Sequence, residues 1–334
     1  MTPQPGPPSA PPAPPAGLVA GVVGAGSMAR THLAAWQRLR VPTVVFSPSG
    51  RAASFARDYG ASAVGSLTAL IERCGVVDIC TPTGTHRVLA QQALAADRHV
   101  ICEKPLALTH EDAAGVIAAA HTAGRQLHVA HVVRYFAAYA TARQLVRDGA
   151  VGAVRSMQLR RTSGAPAPAW FHDDAASGGV LMDQMIHDFD YARWVLGEVM
   201  EVTAHTATDV TAAGHRVVRA TATLTHASGA VSRLTGGWLA PAEPFTTVLT
   251  VTGDAGELRH TNLGGGLELA TAGDRRAIDL GEDLPYDAQL AEFAAAIGGG
   301  PEPRVSPADA LAALDLTLAA RRSAATGEPV LLRT

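Results

Sequence analysis

Cysteine and long apolar segments are scarce in this sequence. Its three cysteines, Cys74, Cys80 and Cys102, lack the spacing of metal ligands, and a small odd number is atypical of a disulfide scaffold. No apolar run reaches the roughly 18 residues that a membrane helix requires. We therefore expect a cytoplasmic protein with reduced cysteines, no metal ligand set and no membrane association.

Charge of a single sign is also lacking, because 27 basic residues nearly balance 30 acidic ones and leave a formal net charge of −3. Such a balance gives no reason to expect nucleic acid or an anionic membrane as a partner. Residues 1–16 are mostly proline, alanine, glycine and serine, without the basic and apolar regions of a signal peptide. We interpret them as a disordered or polyproline-like tail that precedes about two domains.

A glycine turn follows the first apolar run, which covers residues 18–23, and a helical pattern follows the turn. The Gly-x-Gly-x-x-Ala pattern begins at Gly24, which allows a tight bend, and Gly26 lets the backbone approach a pyrophosphate. The order of strand, glycine turn and helix predicts a dinucleotide site. Its phosphates are expected at the helix N-terminus, beside Ser27 and Met28.

The end of the second predicted strand bears on the choice of dinucleotide. It reads Ser47-Pro48-Ser49-Gly50-Arg51 and lacks the acidic residue that usually binds the ribose 2′-hydroxyl of NAD. Ser47, Ser49 and Arg51 suit a 2′-phosphate, because arginine is permanently charged and hydroxyls can donate. A polar turn that caps the next helix is the alternative interpretation. We predict NADP as the preferred cofactor and keep NAD as the alternative.

Two patterns of apolar residues divide the chain. Strand-like runs alternate with helical patterns as far as residue 131, which predicts right-handed βαβ crossovers and a doubly wound parallel sheet. An α/β Rossmann domain is therefore expected over residues 17–135. Beyond it, runs that alternate apolar with polar residues are separated by glycine-rich turns. They predict a C-terminal α+β domain, residues 136–334, with a large open and mainly antiparallel sheet.

Two groups of polar residues are candidates for chemistry. Glu103 and Lys104 follow a buried strand, at the carboxyl edge where ligands bind on open α/β sheets, and Lys104 could donate a hydrogen bond or a proton there. The alternative is a surface Lys-Pro turn. Asp183 and His187 lie four residues apart in what we predict to be one amphipathic helix that begins at Gly178. A carboxylate there could orient the imidazole for proton transfer, whereas the alternative is a capping or surface pair.

Taken together, these motifs resemble the glucose–fructose oxidoreductase, inositol dehydrogenase and rhizopine-catabolism (Gfo/Idh/MocA) family over nearly the whole chain after residue 17. The resemblance implies an NAD(P)-dependent oxidoreductase that acts on a secondary alcohol or ketone of a sugar, cyclitol or similar polyol. It also implies a homodimer or homotetramer formed through the C-terminal sheet. The matching residues are Gly24 to Ala29, Cys80-Thr81-Pro82 with His86, Glu103-Lys104-Pro105, Gly178-Gly179 with Asp183 and His187, and the segment from Ser323 to Val330.

The resemblance assigns Lys104, Asp183 and His187 to the catalytic group. His187 is expected to take or give the hydroxyl proton while Lys104 hydrogen-bonds the same oxygen. Asp183 is expected to position the substrate and the lysine. The division of work between Lys104 and His187 stays open, because coupled groups share their titration. We also expect a cis peptide before Pro105. The residues expected to line the cofactor at the strand ends are Thr81, Pro82, His86, Glu103 and Lys104.

Further residues are weaker candidates for substrate contacts. His131, Arg134 and Tyr135 lie where the first predicted domain gives way to the second, and a hinge segment is the alternative. Trp170 and His172 follow a proline-rich stretch and could form a wall of the substrate pocket, or simply staple a loop. Two other functions remain open. One is a redox-neutral NAD-dependent glycosidase of the same fold, and the other is a non-catalytic dinucleotide sensor.

Overall fold

A computed structural model describes residues 13–332 of the chain. Residues 1–12, which hold most of the predicted tail, and residues 333–334 lie outside the described part. The described residues form two compact units. One contains residues 13–135 together with Leu284–Leu311, and the other contains Phe136–Asp283 together with residues 312–332. We describe each unit by itself.

The first unit is built on a parallel sheet of six strands in the order β3-β2-β1-β4-β5-β6. The predicted doubly wound Rossmann sheet is therefore confirmed. Its central strands are buried along their whole length, because helices cover both faces of such a sheet. The strands are β1 (Ala20–Val23), β2 (Thr43–Phe46), β3 (Ser62–Ala63), β4 (Val76–Ile79), β5 (His99–Glu103) and β6 (Leu127–Ala130).

Helices follow the strands of this unit, as the alternating pattern predicts. They are α1 (Ser27–Arg38), α2 (Ala52–Asp58), α3 (Leu67–Ile71), α4 (His86–Ala95) and α5 (His110–Ala123). The two ends of α5 carry residues that are typical of helix caps. The side chain of Thr109 accepts a hydrogen bond from the Asp112 N–H at the start of α5, and Gly124 ends that helix with a φ of 60°.

A later helix also belongs to the first unit, although the sequence pattern placed it in the second domain. This helix, α10 (Pro285–Ile297), contributes Leu290 and Phe293 to the same apolar core as Leu33 and Trp36 of α1. Arg38 on α1 also pairs with Asp287 on α10 through two hydrogen bonds of 2.6 and 2.5 Å. The apolar face of α10 thus completes the Rossmann core, and periodicity alone does not specify which core a helix face joins.

The second unit contains a sheet of nine strands in the order β14-β13-β12-β11-β7-β10-β9-β8-β15. Neighbouring strands are antiparallel except β7 and β10, which run parallel, so the predicted open and mainly antiparallel sheet is confirmed. The strands are β7 (Val154–Gly164), β8 (Val199–Val210), β9 (Arg216–His226), β10 (Val231–Leu239), β11 (Thr246–Gly253), β12 (Gly256–Thr261), β13 (Gly265–Thr271), β14 (Asp274–Ile278) and β15 (Val330–Leu331).

The two faces of this sheet differ in polarity. Leu159, Leu234 and Leu249 stand in register on neighbouring strands and are buried, whereas Arg160 and Thr235 are exposed on the other face. The helices of the chain from residue 136 onward, α10 aside, are α6 (Ala137–Arg147), α7 (Asp174–Ser177), α8 (Gly179–Asp183), α9 (Ile186–Leu196) and α11 (Pro307–Thr326). Among residues 13–332, no helix combines the length and apolar character needed to cross a bilayer.

Candidate active site

The glycine turn after β1 depends on the small size of its residues. Gly24 has a φ of +128°, and a Cβ on it would stand 2.4 Å from the Cys80 carbonyl oxygen, so only glycine fits there. Gly26 is the N-cap of α1 and supplies no side-chain cap, and a Cβ on it would point into open space. The first N–H groups of α1 are therefore available to an anion, with Gly26 and Ser27 exposed and Met28 half-buried.

The three polar residues after β2 form one hydrogen-bonded group. The hydroxyl oxygens of Ser47 and Ser49 are 2.8 Å apart, and Arg51 donates from Nε to the Ser49 oxygen at 3.2 Å. Ser47 is buried, while Ser49 and Arg51 are exposed. The guanidinium is thus held beside two hydroxyls at the end of a strand, in a segment that contains no acidic side chain.

Lys104 follows the last residue of β5 and is half-buried. Its backbone N–H donates to Glu103 Oε2 at 3.1 Å, and the Lys104–Pro105 peptide is cis, as the resemblance implies. The lysine therefore stands at the carboxyl edge of the parallel sheet, as the sequence predicts. The same edge carries the glycine turn after β1.

One signal in the sequence distinguishes Lys104 from every other basic residue. It is the only lysine in the 334 residues, and all the other basic residues counted with it are arginines. Arginine cannot release its proton in a protein, whereas a lysine can, and lysine pKa values shift readily on burial. The chain thus carries lysine only at this strand end and arginine at its other basic positions.

The loop after β4 is tied to the segment after β5 by a buried histidine. The ring nitrogens of His86 lie 2.8 Å from the Thr81 carbonyl oxygen and 2.9 Å from the Pro105 carbonyl oxygen. Burial lowers the pKa of His86, although the two carbonyls oppose this effect. His86 therefore positions the loop from inside, whereas Thr81 and Pro82 are partly exposed at the sheet edge.

In the second unit, Asp183 and His187 do not share one continuous helix, so that prediction is wrong. Asp183 is the last residue of α8 and His187 the second residue of α9, and both are half-buried. The N–H groups of Gln184 and Met185 both donate to the Val180 carbonyl, at 3.2 and 3.0 Å. The second bond spans five residues, a local widening of the kind that interrupts helices at functional sites.

A buried ion pair fixes α9 against the sheet. Arg161 on β7 donates from Nη2 to Asp188 Oδ1 at 2.9 Å and from Nε to the two carboxylate oxygens at 3.1 and 3.2 Å. Both side chains are almost completely buried. Burial raises the pKa of Asp188 and Arg161 counteracts this, so the carboxylate depends on its partner to stay ionised. Asp188 adjoins His187, and the pair therefore sets where that histidine lies within the unit.

Arg134 and Tyr135, between the two predicted domains, have contacts within the Rossmann unit. Arg134 is buried and donates from Nη1 to the Arg304 carbonyl at 2.7 Å and to Asp309 at 3.1 Å. The Tyr135 hydroxyl donates to Glu292 at 3.0 Å, and burial together with that carboxylate raises its pKa well above the usual value. These contacts bind Arg134 and Tyr135 into the Rossmann unit. His131 is also buried.

The two aromatic candidates, Trp170 and His172, take part in an aromatic cluster of the second unit. The rings of Trp170 and Phe171 stack at 3.9 Å, and His172 donates from Nε2 to the Pro166 carbonyl at 2.8 Å. His172 also lies against Trp238, with ring centroids 6.1 Å apart. Through these contacts, both side chains help to hold the proline-rich loop in place.

Models of known families match both units. Residues 18–131 match the model described as "Oxidoreductase family, NAD-binding Rossmann fold", and residues 139–259 match the GFO/IDH/MocA C-terminal domain. The glycine turn and the strand-end lysine both fall within the first match, and Asp183 and His187 fall within the second. Two matches in the order that the resemblance implies support a single family for the whole chain.

Similar proteins of nearly full length are known. A D-apiose dehydrogenase from Paraburkholderia graminis is 30% identical over 94% of this chain and 89% of its own length. A 1,5-anhydro-D-fructose reductase from Ensifer adhaerens is 27% identical over 94% and 98% of the two chains. The crystal structure of GenD2 from gentamicin A biosynthesis, in complex with NAD, is 27% identical, with a TM-score of 0.82 over 95% and 97% of the two chains. The chain therefore belongs to the Gfo/Idh/MocA family of oxidoreductases and carries its NAD-binding Rossmann fold.

Proposed function

We propose that the protein transfers a hydride between a nicotinamide cofactor and a secondary alcohol or ketone of a sugar, cyclitol or similar polyol. The observation that carries this proposal is the single lysine of the chain at the carboxyl end of β5. The relatives support a polyhydroxylated substrate, since one is a D-apiose dehydrogenase and another a 1,5-anhydro-D-fructose reductase. The nicotinamide would accept or supply the hydride, and side chains of the protein would transfer the proton.

Three side chains are proposed to take part in the proton transfer. Lys104 hydrogen-bonds the reacting oxygen, His187 takes or gives its proton, and Asp183 positions the substrate and the lysine. Lysine at position 104 also leaves open a direct proton transfer, which arginine would forbid. The Gly24–Gly26 turn with Ser27 and Met28 would hold the pyrophosphate, and Thr81, Pro82 and Glu103 would lie toward the nicotinamide end.

We further propose that NADP is preferred over NAD. Arg51 is held by Ser49 beside Ser47 at the position where NAD-selective sites carry an acid. Replacing Arg51 by alanine should lower kcat/KM for NADP by about 10–100-fold, since a hydrogen bond to a charged group is worth about 1.5–3 kcal/mol. Steady-state kinetics with both cofactors measure the change. Arg57→Ala, an exposed arginine on α2, is the control.

A screen of polyols and sugars with both cofactors tests the function itself. Formation of reduced cofactor, followed by its absorbance, is the expected result. Release of free sugar without reduced cofactor would instead favour the redox-neutral glycosidase. Tight dinucleotide binding with no turnover of any polyol or glycoside would favour the sensor. A preference for NAD together with an unaffected Arg51→Ala would contradict only the cofactor proposal.

We also propose a homodimer or homotetramer formed through the C-terminal sheet. The outer face of this sheet carries Arg160, Thr221 and Thr235 in register on adjacent strands, a flat polar surface rather than an apolar one. Light scattering should give a mass of two or four chains. The double variant Arg160→Glu and Thr235→Glu should lower that mass, because like charges would then face each other across the interface. An unchanged mass would place the interface elsewhere.

The compartment is proposed to be the cytoplasm. The three cysteines are free and buried. Burial raises the pKa of Cys74 to about 11 and, with Asp78, that of Cys80 to about 12. Thiols of this kind are inert, and they suit a reducing environment.

A further inference from the structure

A chain of buried polar side chains runs through the Rossmann unit from α1 to the end of β5. His32 on α1 is completely buried, and its Nδ1 lies 3.0 and 2.9 Å from the two carboxylate oxygens of Asp78 on β4. Its Nε2 lies 3.1 Å from Glu103 Oε1. Such a group in an apolar core is costly unless every member is satisfied, so its retention calls for an explanation.

The geometry requires an additional proton in this cluster. A neutral imidazole has a single N–H, yet both nitrogens of His32 face carboxylate oxygens. Burial alone would lower the pKa of His32, but Asp78 and Cys80 together more than offset this effect and raise the pKa well above the usual value. His32 is therefore an imidazolium that bridges Asp78 and Glu103. Trp36 completes the inner end by donating from Nε1 to Asp78 at 2.8 Å.

The outer end of the cluster reaches the proposed catalytic lysine. Glu103 uses Oε1 for His32 and Oε2 for the backbone N–H of Lys104. Both oxygens of one carboxylate are thus committed, one toward the core and one toward the residue after the strand. The helix that begins at the glycine turn is thereby connected, through His32, to the strand end that carries Lys104.

The same cluster has the residue types of a metal site, but its contacts do not suit a metal. One ligand atom from each of His32, Asp78 and Cys80 lies within 4.8 Å of the others. The Cys80 sulfur is 3.6 Å from Asp78, and burial raises the Cys80 pKa to about 12, so the thiol keeps its proton. A metal requires a free imidazole nitrogen, whereas both nitrogens of His32 already lie within hydrogen-bond distance of carboxylate oxygens. The cluster is therefore a hydrogen-bonded group.

We propose that His32 and Asp78 are positioning residues, which hold the Glu103 carboxylate so that it fixes Lys104 at the edge of the sheet. The proposal rests on the proposed function, because it gives Lys104 the role described above. His32→Gln removes the imidazolium, and Glu103→Gln removes the carboxylate that it holds. Since both variants break the same link, their effects should not multiply in a double-mutant cycle.

The absence of other lysines gives this test a readout that does not depend on turnover. Isotope-labelled lysine should give a single side-chain ammonium signal in NMR spectra of the whole protein, and that signal belongs to Lys104. We expect His32→Gln and Glu103→Gln to shift it alike. We also expect kcat to fall by about 10²-fold, as misplacement of a reacting group by about 1 Å can do. The affinity for ADP, which lacks both the nicotinamide ring and its ribose, should stay unchanged.

Leu33→Val is the matched control, since Leu33 is the buried apolar neighbour of His32 on α1 and has no polar side-chain atom. It should leave the Lys104 signal and kcat unchanged. An unmoved Lys104 signal in both glutamine variants would overturn the proposal, and so would effects that multiply. Loss of ADP binding would also overturn it, because the cluster would then support the fold as a whole. Full turnover by Lys104→Ala would contradict the proposed function, whereas a coupled shift of the lysine signal would still support the link.

Discussion

Replacing Lys104 by alanine is expected to lower kcat by about 10²–10⁴-fold, the usual contribution of a positioned proton-transfer group. The reason is both chemical and positional. Lys104 stands directly after β5 at the carboxyl edge of the parallel sheet, where ligands bind in this class of fold. Dinucleotide affinity should change little, because the glycine turn after β1 is untouched. Steady-state kinetics and titration with the reduced cofactor separate the two effects.

A second substitution, Lys104→Arg, distinguishes two roles for the lysine. If Lys104 only donates a hydrogen bond, arginine should retain measurable turnover, since it keeps the charge and the donors. If Lys104 moves the proton, Lys104→Arg should be as inactive as Lys104→Ala, because a guanidinium cannot release its proton. The result therefore decides between Lys104 and His187 as the proton-transfer group.

Arg125→Ala is the control for the loss of one positive charge in the same unit. Arg125 is paired with Asp97 by two hydrogen bonds of 2.7 and 2.6 Å, and it precedes β6 at the opposite edge of the sheet. Its removal should leave kcat unchanged. If Lys104→Ala also kept full turnover, the assignment of a catalytic role to Lys104 would be wrong. An amine-specific reagent offers an independent check, since Lys104 carries the only side-chain amine.

Replacing Asp188 by alanine is expected to destabilise the second unit by about 3–5 kcal/mol, because it leaves the Arg161 guanidinium buried without a counter-charge. Three nitrogen–oxygen contacts of 2.9–3.2 Å are lost, and almost no solvent reaches either side chain to replace them. Urea unfolding monitored by circular dichroism measures the loss. Turnover should fall as well, since the pair fixes the helix that carries His187.

Two further variants test whether loss of the buried ion pair causes the destabilisation of Asp188→Ala. Arg219→Met breaks the exposed pair of Arg219 with Asp209, whose nitrogen–oxygen distance is a similar 3.0 Å, and should cost less than about 1 kcal/mol. The double variant Arg161→Met and Asp188→Leu should recover much of the lost stability, because apolar side chains of similar volume often replace a buried ion pair without penalty. If Asp188→Ala cost no more than Arg219→Met, the buried pair would not be what holds α9.

The features that could be predicted from the sequence depend on local rules. The turn at Gly24 follows from a strand, two spaced glycines and a helix, and the steric contact at Gly24 shows why the pattern needs glycine. The place of Lys104 follows in the same way, from a buried apolar strand that ends in a polar pair before a proline. The C-terminal sheet follows from alternation of apolar and polar residues, which is also a local property.

Other features depend on contacts between distant residues, and local patterns did not reveal them. His32 meets Asp78 and Glu103 across separations of 46 and 71 residues. The sequence does contain an aspartate, Asp78, inside the apolar strand Val76–Ile79. The periodicity of apolar residues does not predict that its partner is His32. The break between α8 and α9 was likewise missed, because four-residue spacing suits a continuous helix as well as an interrupted one.

By itself, the sequence determined the Rossmann topology, the glycine turn, the strand-end lysine and the open second sheet, since each follows from spacing and residue type along a few consecutive positions. Tertiary structure alone decided that α10 joins the Rossmann core, that Arg134 and Tyr135 are bound into that unit, and that His32 reaches both Asp78 and Glu103. The physical reason is that a side chain's partners, and hence its proton, are set by which distant segments desolvate it, and no local pattern carries that information.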